Sequence, residues 1–374
     1  MAYLCESEIE EMVIEELQSL GYTYVPGNDL TPDTAPQDRK SFADVVLKER
    51  CINALRRINK QLPETAIDMA IKSVLKVVGT FQVSDNEKFH RYLTDGVPVE
   101  YRNNGNVIGD IAYLIDPLDE ADNNEFLVVN QFTIIGSGVN KRPDVIIFIN
   151  GLPLVIFELK NAADSNATIK KAFDQLNTYK QVIPQLFAYN EVCVVSDGLE
   201  AKVGSYTAPF SRFSTWKTKD GIADASQFED ELSVTINGLF NKKTILDYVF
   251  NFVAFENEKI ENEDKKVIRI ETVKKIAAYH QYYAVNKAIL STKRAADKNG
   301  NKKAGVVWHT QGSGKSLSMV FYTGKLVKTM NNPTVIVITD RNDLDDQLFD
   351  TFAANTRLLR QPPQQAQSTE QLKE

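Results

Sequence analysis

Residues 142–162 read RPDVIIFINGLPLVIFELKNA, and the order of charged and apolar residues in this stretch decides the fold around it. Asn150-Gly151 lies between two apolar runs rich in β-branched residues, which is a strong signal for a β-hairpin. Asp144 opens the first strand, and Glu158 and Lys160 close the second. The turn therefore brings three charged side chains together at the far ends of the two strands.

The register of the hairpin decides whether the two carboxylates share one face of the sheet. A regular two-residue turn pairs Asp144 with Phe157, and side chains alternate between faces, so Asp144 and Glu158 would point to opposite sides. A one-residue β-bulge, or a three-residue loop, restores the parity. We predict such an irregularity close to Pro153, beside the turn.

Two adjacent carboxylates repel each other, and their burial costs several kcal/mol unless a cation compensates the charge. Mg²⁺ takes oxygen ligands and keeps several waters, which then lose a proton more easily. A neighbouring ammonium can orient that water and stabilise a charged pentavalent phosphate. We therefore predict that Asp144 and Glu158 bind Mg²⁺ and, with Lys160, catalyse phosphodiester hydrolysis. The same Glu-x-Lys spacing at 263–265 lies in a charged run, where we expect only solvated surface.

The pattern of the first 255 residues predicts an α/β domain with a mixed sheet. Strands are expected at 126–129, 132–135, 145–149, 154–159 and 192–196, and helices at 7–20, 63–78 and 169–183. The segment 22–40 is rich in Pro, Asp and Thr and is expected to be a loop. A charged, solvated stretch at 256–275 marks the predicted boundary, which gives domains at 1–255 and 256–374.

The second domain is expected to begin a parallel α/β sheet. After a helix at about 272–292, strands at 304–310 and 334–339 are predicted to flank a glycine-rich loop and a long helix from Lys315. Glycines let backbone N–H groups close around an anion, and a helix N-terminus favours negative charge. We predict an ATP site in which Lys315 reaches the β- and γ-phosphates and Ser316 ligates Mg²⁺. Its residues are Thr310, Gln311, Gly312, Ser313, Gly314, Lys315 and Ser316.

The composition of the 374 residues is that of a globular protein without a membrane segment or signal peptide, so we expect a cytoplasmic location. The scattered Cys5, Cys51 and Cys193 fit neither a disulfide framework nor a zinc site. The lone His90 is more simply a structural histidine than a site residue. The net charge of −7 argues mildly against non-specific binding of nucleic acid, although a basic groove can be local.

Pro143-Asp144 and Glu158-Leu159-Lys160 resemble the signature of the PD-(D/E)xK nuclease family, whose acidic pair binds metal and whose lysine assists the nucleophile. On the following helix, Gln175 and Tyr179 lie at i and i+4, on one face. They match the QxxxY element of a branch of these nucleases, which implies contact with DNA near the scissile phosphate. The first helix of the family sometimes supplies a further metal ligand, for which the candidates are Glu8, Glu10 and Glu11.

The phosphate loop resembles that of superfamily 2 helicases, which tolerate a residue such as His309 in place of the first glycine of the pattern. The resemblance implies that Gln281 contacts adenine and that the segment led by Asp340-Arg341 contacts nucleic acid. Asp119-Glu120-Ala121-Asp122 spells the helicase acidic box, but it precedes the phosphate loop and is rejected. Because no such box follows Ser316, we expect this chain to hydrolyse ATP poorly.

A metal nuclease followed by a helicase-type ATPase resembles the motor (R) subunit of type I restriction endonucleases. The likeness covers essentially the whole chain and includes segments outside the motifs, such as CINALRRINKQLPETAIDMAI at 51–71 and FLVVNQFTI at 126–134. It implies a PD-(D/E)xK nuclease domain followed by the start of a RecA-like P-loop domain. It further implies methylation (M) and specificity (S) subunits as partners, ATP-driven translocation along double-stranded DNA, and double-strand cleavage remote from the recognition site.

Two other functions are compatible with the sequence. The first is a helicase-type DNA remodeller whose N-terminal domain binds DNA without cutting it. Metal-dependent nicking of a plasmid that is lost in Asp144→Ala would exclude this function. The second is an ATP-sensing scaffold that acts on no nucleic acid, which the acidic net charge favours; tight, salt-sensitive duplex binding would exclude it.

Overall fold

The computed structural model describes residues 5–35, 37–79, 82–118, 122–161, 169–261, 267–340, 342–366 and 368–373. The chain forms two compact units, Met1–Phe250 (unit 1) and Asn251–Glu374 (unit 2). The functions assigned from sequence to domains 1–255 and 256–374 stay predictions.

Unit 1 is built on a mixed six-stranded sheet with the strand order β1-β4-β7-β8-β9-β10. The strands described in unit 1 are β1 (Thr23–Pro26), β2 (Val97–Asn103), β3 (Asn106–Ala112), β4 (Phe126–Asn130), β5 (Ile134–Gly136), β6 (Val139–Lys141), β7 (Val145–Ile149), β8 (Leu152–Leu159), β9 (Val192–Ser196) and β10 (Ala201–Gly204). The pairs β1–β4 and β8–β9 are parallel, and the other neighbours in the sheet are antiparallel. The predicted α/β class with a mixed sheet is therefore confirmed for this unit.

Helices flank the sheet of unit 1. They are α1 (Glu6–Ser19), α2 (Lys48–Ile58), α3 (Glu64–Leu75), α4 (Gln82–Asp95), α5 (Ile169–Val182), α6 (Pro184–Phe187), α7 (Glu231–Leu239) and α8 (Lys242–Asn251), with 3₁₀ turns at Gly27–Leu30 and Phe210–Arg212. The central strands β7 and β8 are buried at every position, which explains their continuous apolar runs. On α1, the residues Ile9, Val13 and Leu17 are buried at helical spacing.

The hairpin of β7 and β8 has the predicted turn and the predicted irregularity. Asn150 and Gly151 both have positive φ angles, 53° and 75°, as a type I′ turn requires. Ile147 pairs with Val155 but Phe148 pairs with Pro153, so Leu154 is the extra residue of a β-bulge. The bulge is therefore confirmed, and it lies next to Pro153.

Two predictions in the first half of the chain are wrong in detail. The segment 22–40 is not only a loop, because β1 forms there and pairs with the distant β4, a tertiary contact that local composition does not reveal. The strand expected at 132–135 is displaced to β5, which pairs with β6. The positive φ of Gln131, 49°, ends β4 and turns the chain away from the sheet.

Unit 2 has a different organisation from the one predicted. Its described elements are β11 (Val253–Glu261), β12 (Val267–Ile276), α9 (Tyr279–Ala296), α10 (Lys315–Thr329), α11 (Asn342–Ala354), α12 (Thr356–Leu359) and α13 (Thr369–Lys373). The described residues of the charged stretch at 256–275 form most of the antiparallel hairpin of β11 and β12. Opposite charges pair across it, with Lys275 Nζ at 2.5 Å from Glu256 and 2.9 Å from Glu258. Because β12 extends to Ile276, the helix predicted at 272–292 begins only at Tyr279.

The parallel strands predicted at 304–310 and 334–339 are not formed among the described residues. Neither segment pairs with another strand, and Val306 and Ile338 are 95% and 87% exposed. Parallel strands are stable when neighbours pair with both edges and helices cover both faces. The described part of unit 2 supplies no such neighbours to these segments, so their apolar composition alone does not fix a strand.

The hairpin turn yields a stability prediction. Gly151→Ala is expected to lower the free energy of unfolding by about 2–3 kcal/mol, because alanine is strained at this φ. In addition, the new Cβ would lie 2.5 Å from the Leu47 carbonyl oxygen. Gly138→Ala is the matched control, since Gly138 has the same φ of 75° with no atom within 4 Å of the new Cβ. Urea unfolding of both variants measures the difference, and equal losses would contradict the assigned contact.

Candidate active site

The two predicted metal ligands lie side by side at the open end of the β7–β8 hairpin. Val145 pairs with Phe157, so the residues just outside this pair, Asp144 and Glu158, lie opposite each other. Both are buried, with 5% and 1% of their surfaces exposed. The Leu159 N–H donates a 2.7 Å hydrogen bond to Asp144 Oδ2, which fixes the first carboxylate.

Lys160 completes the cluster immediately after β8. Its Nζ donates to Glu158 Oε1 at 3.0 Å and to the Leu159 carbonyl oxygen at 2.7 Å. It also lies 3.6 Å from Glu6 Oε1, at the beginning of α1. The structure thus brings together the three residues predicted from the sequence, Asp144, Glu158 and the half-buried Lys160.

Burial controls the protonation of the carboxylate pair. Desolvation raises the pKa of Asp144 to about 7, against the opposing effects of the Leu159 N–H and Lys160. Desolvation, and then the neighbouring Asp144, raise the pKa of Glu158 to about 8. One ammonium therefore does not compensate both charges, and protons remain in the site near neutral pH.

A divalent cation fits this donor set. Among the residues that the structure describes, Glu158 Oε2 is a buried atom with no hydrogen-bond partner, which is costly unless another group binds it. No group of three or more His, Cys, Asp or Glu side chains suited to a metal occurs in the described ranges. Two carboxylates completed by water are the ligand set that Mg²⁺ commonly has in proteins.

The first helix contributes differently from the sequence prediction. Glu10 accepts hydrogen bonds from Asn130 and Gln131, at 2.6 and 2.7 Å, and its charge acts on Asp144. Glu8 accepts from the Cys5 N–H at 2.6 Å, and this bond lowers its pKa, so Glu8 caps its own helix. The third candidate, Glu11, is exposed.

Sequence reasoning missed Glu6. Its carboxylate is the α1 group that approaches Lys160, and its charge also acts on Asp144. Glu6 precedes Glu10 by four residues and therefore lies on the same face of α1. That spacing was the signal available in the sequence.

Gln175 and Tyr179 extend the site along α5. Tyr179 is buried and its hydroxyl donates to the Arg142 carbonyl oxygen at 3.3 Å. Burial and then the nearby Glu158 raise the pKa of Tyr179, and the Gln175 side chain opposes this shift by a hydrogen bond to the hydroxyl. The two residues therefore form a polar path on α5 that reaches Glu158.

His90 and the cysteines lie outside this cluster. His90 is buried and its Nδ1 lies 3.1 Å from Glu191 Oε2, a pairing within the core of unit 1. Cys51 and Cys193 are buried free thiols, and Cys5 is an exposed one.

The glycine-rich loop of unit 2 ends in a helix that begins at Lys315, as predicted. Gly312 and Gly314 have positive φ angles, 79° and 78°, so the loop uses the conformational freedom of both glycines. Lys315 Nζ donates to the carbonyl oxygens of His309 and Thr310, each at 3.3 Å. The other residues predicted for the ATP site, Gln311, Ser313 and Ser316, lie in the same loop and in the first turn of α10.

Gln281 supports the loop in this structure. Its Nε2 donates to the Gly314 carbonyl oxygen at 3.0 Å, and its Oε1 accepts from the Ala278 N–H at 2.9 Å. The neighbouring His280, which sequence analysis did not single out, donates from Nε2 to the Ser313 carbonyl oxygen at 3.1 Å. Both residues thus link the start of α9 to the phosphate loop, and the adenine contact of Gln281 stays a prediction.

Three positions named in the sequence analysis lie outside the described residues. They are Arg341, residues 119–121 of the rejected acidic box, and the Glu-x-Lys at 263–265. None of the helices that the structure describes combines the length and apolar character that a membrane crossing requires.

Comparison with known protein families finds two matches. Residues 3–212 match the family profile of the type I restriction enzyme R protein N terminus. Residues 280–374 match the profile of the SWI2/SNF2 ATPase. The first match covers more than half of the chain and includes the carboxylate cluster, and the second includes the phosphate loop.

Curated relatives are similar over nearly the whole chain. The type I restriction enzyme HindI endonuclease subunit of Haemophilus influenzae is 44% identical over 99% of this chain and 35% of its own length. The putative MjaIXP endonuclease subunit of Methanocaldococcus jannaschii is 33% identical over 92% of this chain and 34% of its own. A SauMSSORF170P endonuclease subunit of Staphylococcus aureus is 28% identical over 94% and 33%. This chain thus spans about a third of the length of these relatives.

The raised carboxyl pKa values predict how stability depends on pH in the absence of metal. Between about pH 4 and about pH 8, Asp144 and Glu158 carry more protons in the folded protein than in the unfolded chain, because folding raises both pKa values. The free energy of unfolding should therefore fall as the pH rises through this window. Glu158→Gln removes one ionisable group and should raise the free energy of unfolding at the alkaline end by on the order of 1–3 kcal/mol.

Urea unfolding in a chelating buffer, repeated across this pH window, measures the effect. Glu11→Gln, at an exposed position of α1, is the matched control and should follow the wild-type curve. A Glu158→Gln curve that is parallel to the wild-type curve would show that this carboxyl is not perturbed.

Proposed function

The chain belongs to the family of type I restriction enzyme R proteins, and we propose that it forms the N-terminal part of an ATP-dependent restriction endonuclease subunit. In this proposal unit 1 is a PD-(D/E)xK nuclease that cuts both strands of DNA, at positions remote from the recognition sequence. Unit 2 begins a RecA-like ATPase that drives translocation. The observation that carries the nuclease assignment is the convergence of Asp144, Glu158 and Lys160.

Each residue of the cluster has a chemical role in this proposal. Asp144 and Glu158 would hold Mg²⁺ through their carboxylate oxygens, among them the buried Glu158 Oε2. Bound Mg²⁺ supplies charge neutralisation at phosphorus and a more acidic water. Lys160 donates hydrogen bonds near that position, so its ammonium orients the attacking water and stabilises charge on the phosphoryl oxygens. The water oxygen forms a new bond to phosphorus, one phosphorus–oxygen bond of the DNA backbone breaks, and the leaving oxygen takes up the proton that the water loses.

The neighbouring polar residues position the substrate. We assign Gln175 and Tyr179 to contact with DNA near the scissile phosphate, because the Tyr179 hydroxyl is next to Glu158 and Gln175 supports it. Glu10 and Glu6 shape the electrostatic field of the site from α1. Glu6 lies 3.6 Å from Lys160 Nζ, and its charge raises the pKa of Lys160 and so favours the ammonium form.

The ATP site of unit 2 uses the phosphate loop from Thr310 to Ser316. Lys315 now hydrogen-bonds loop carbonyls, and it is placed at the N-terminus of α10, where a phosphate is favoured. Ser316, in the first turn, ligates the Mg²⁺ that accompanies ATP, and Gln281 binds the adenine edge. The SWI2/SNF2 match over 280–374 supports this assignment.

The proposal implies a larger cytoplasmic assembly. The curated relatives are named as endonuclease subunits of type I restriction enzymes, and we infer that methylation and specificity subunits bind the whole protein. ATP cycling then moves double-stranded DNA past unit 1, and cleavage follows when translocation stalls. The recognition sequence belongs to another subunit in this scheme.

Two lysine substitutions in the complete assembly separate the activities of the two units. Lys160→Ala should keep ATP turnover and lose at least about 100-fold in DNA cleavage, because it removes a charge that acts in the transition state. Lys315→Ala should lose both ATP turnover and cleavage. Lys72→Ala, at an exposed position of α3, is the control for a lost surface charge. Cleavage that persists in Lys160→Ala would contradict the assignment of the nuclease site.

A further inference from the structure

Unit 1 carries a basic–aromatic surface formed by Lys170 and Lys180 of α5, Lys202 of β10, and the rings of Phe173 and Phe210. Lys170 Nζ lies 4.8 Å from the centre of the Phe173 ring, Lys180 Nζ lies 5.9 Å from the same ring, and Lys202 Nζ lies 4.9 Å from the Phe210 ring. The two ring centres are 5.4 Å apart. The three ammonium groups are thus gathered around one pair of aromatic rings.

The packing below the rings makes this arrangement rigid. Phe213 lies under Phe173, with ring centres 5.2 Å apart in an edge-to-face contact, and both residues are buried. Phe210 belongs to the 3₁₀ turn Phe210–Arg212, whose last residue, Arg212, is an exposed cation. Cation–π contacts restrict the lysine side chains, so less conformational entropy is lost when they bind a partner.

Two of the four cations at the basic–aromatic surface, Lys202 and Arg212, have no carboxylate partner among the described residues. Lys170 pairs with Asp174 on α5. The described residues provide no carboxylate within ion-pair distance of Lys202 or Arg212. Lys180 donates to the Tyr206 carbonyl oxygen at 2.7 Å, and burial lowers its pKa. Like charges that are separated by less than the screening length in physiological salt, about 8–10 Å, repel each other, and a bound anion relieves this repulsion. Such a cluster is unexpected in a chain whose net charge is −7.

The position of the surface links it to the carboxylate cluster. Tyr179, which adjoins Glu158, lies six residues after Phe173 on α5, a separation of about 9 Å along the helix axis. Successive phosphates of one DNA strand rise by about 3.4 Å. If the scissile phosphate lies at Asp144 and Glu158, other phosphates of the same strand, a few nucleotides away, therefore lie at about this distance from it.

We propose that the basic–aromatic surface, together with Arg212, binds the phosphate backbone of the DNA duplex that flanks the cleavage point. This inference rests on the proposed nuclease function and adds the substrate-binding surface to it. Lysine and arginine contacts to phosphate fix the position of a duplex without reading its sequence. Such binding suits an enzyme that, as proposed, cuts wherever translocation stops.

Equilibrium binding of the 374-residue chain to a fluorescein-labelled duplex, measured by anisotropy in chelating buffer, tests the proposal. Lys202→Gln combined with Arg212→Gln should weaken binding roughly tenfold at moderate salt and reduce the slope of log Kd against log salt by about two. Lys202→Arg combined with Arg212→Lys keeps both charges and should bind as the wild type does. Melting curves confirm that the variants are folded.

Lys60→Gln combined with Lys72→Gln is the matched control, since both lysines are exposed on unit 1 and the change in net charge is the same. If this control weakens binding as much as the Lys202/Arg212 variant, only net charge matters and the surface assignment is overturned. If the Lys202/Arg212 variant binds duplex normally but fails to assemble with partner subunits, the surface is a protein interface and the proposal is likewise overturned. A wild-type chain that binds no duplex would instead contradict the proposed nuclease function itself.

Discussion

The site of unit 1 depends on two carboxylates that a bulged hairpin holds out of water. Each buried carboxylate costs several kcal/mol in its charged form, and Lys160 offsets only part of this cost. The extra residue Leu154 is what places Asp144 opposite Glu158; without it, the two side chains would face opposite sides of the sheet. The apolar strands around the pair keep water away and raise both pKa values. The same desolvation that destabilises the pair in isolation favours the binding of a divalent cation.

Local chemistry made this part of the structure predictable. Asn150-Gly151 fixed the turn, and the parity of side chains along a strand required a bulge once both carboxylates were assigned to one site. The contribution of Glu6 was not predicted, because it depends on how α1 packs against the sheet. Strand β1 was missed for a similar reason: four residues that include a proline form a strand only because β4 lies beside them. Tertiary pairing of this kind leaves little trace in local composition.

In unit 2, by contrast, the sequence pattern predicted strands that the described residues do not form. The residues of the phosphate loop and the start of α10 follow from glycine conformations and helix chemistry, which are local properties. The apolar segments at 304–310 and 334–339 were predicted as strands, yet they form none in the described structure, because a parallel strand also needs paired neighbours. The described residues of the charged segment at 256–275 form a hairpin in which Lys275 pairs across the strands with Glu256 and Glu258. Gln281 and His280 add contacts that link α9 to the loop.

Calorimetric titration of the chain with Mg²⁺ near neutral pH, in buffers of different ionisation enthalpy, tests the account at its centre. It predicts an ion bound in unit 1 with the release of about one proton, because the cation displaces protons from the coupled pair Asp144 and Glu158. Asp144→Asn should lose this binding, whereas Glu11→Gln should keep it. Binding without proton release, or unchanged binding in Asp144→Asn, would show that the buried carboxylates are not a metal site.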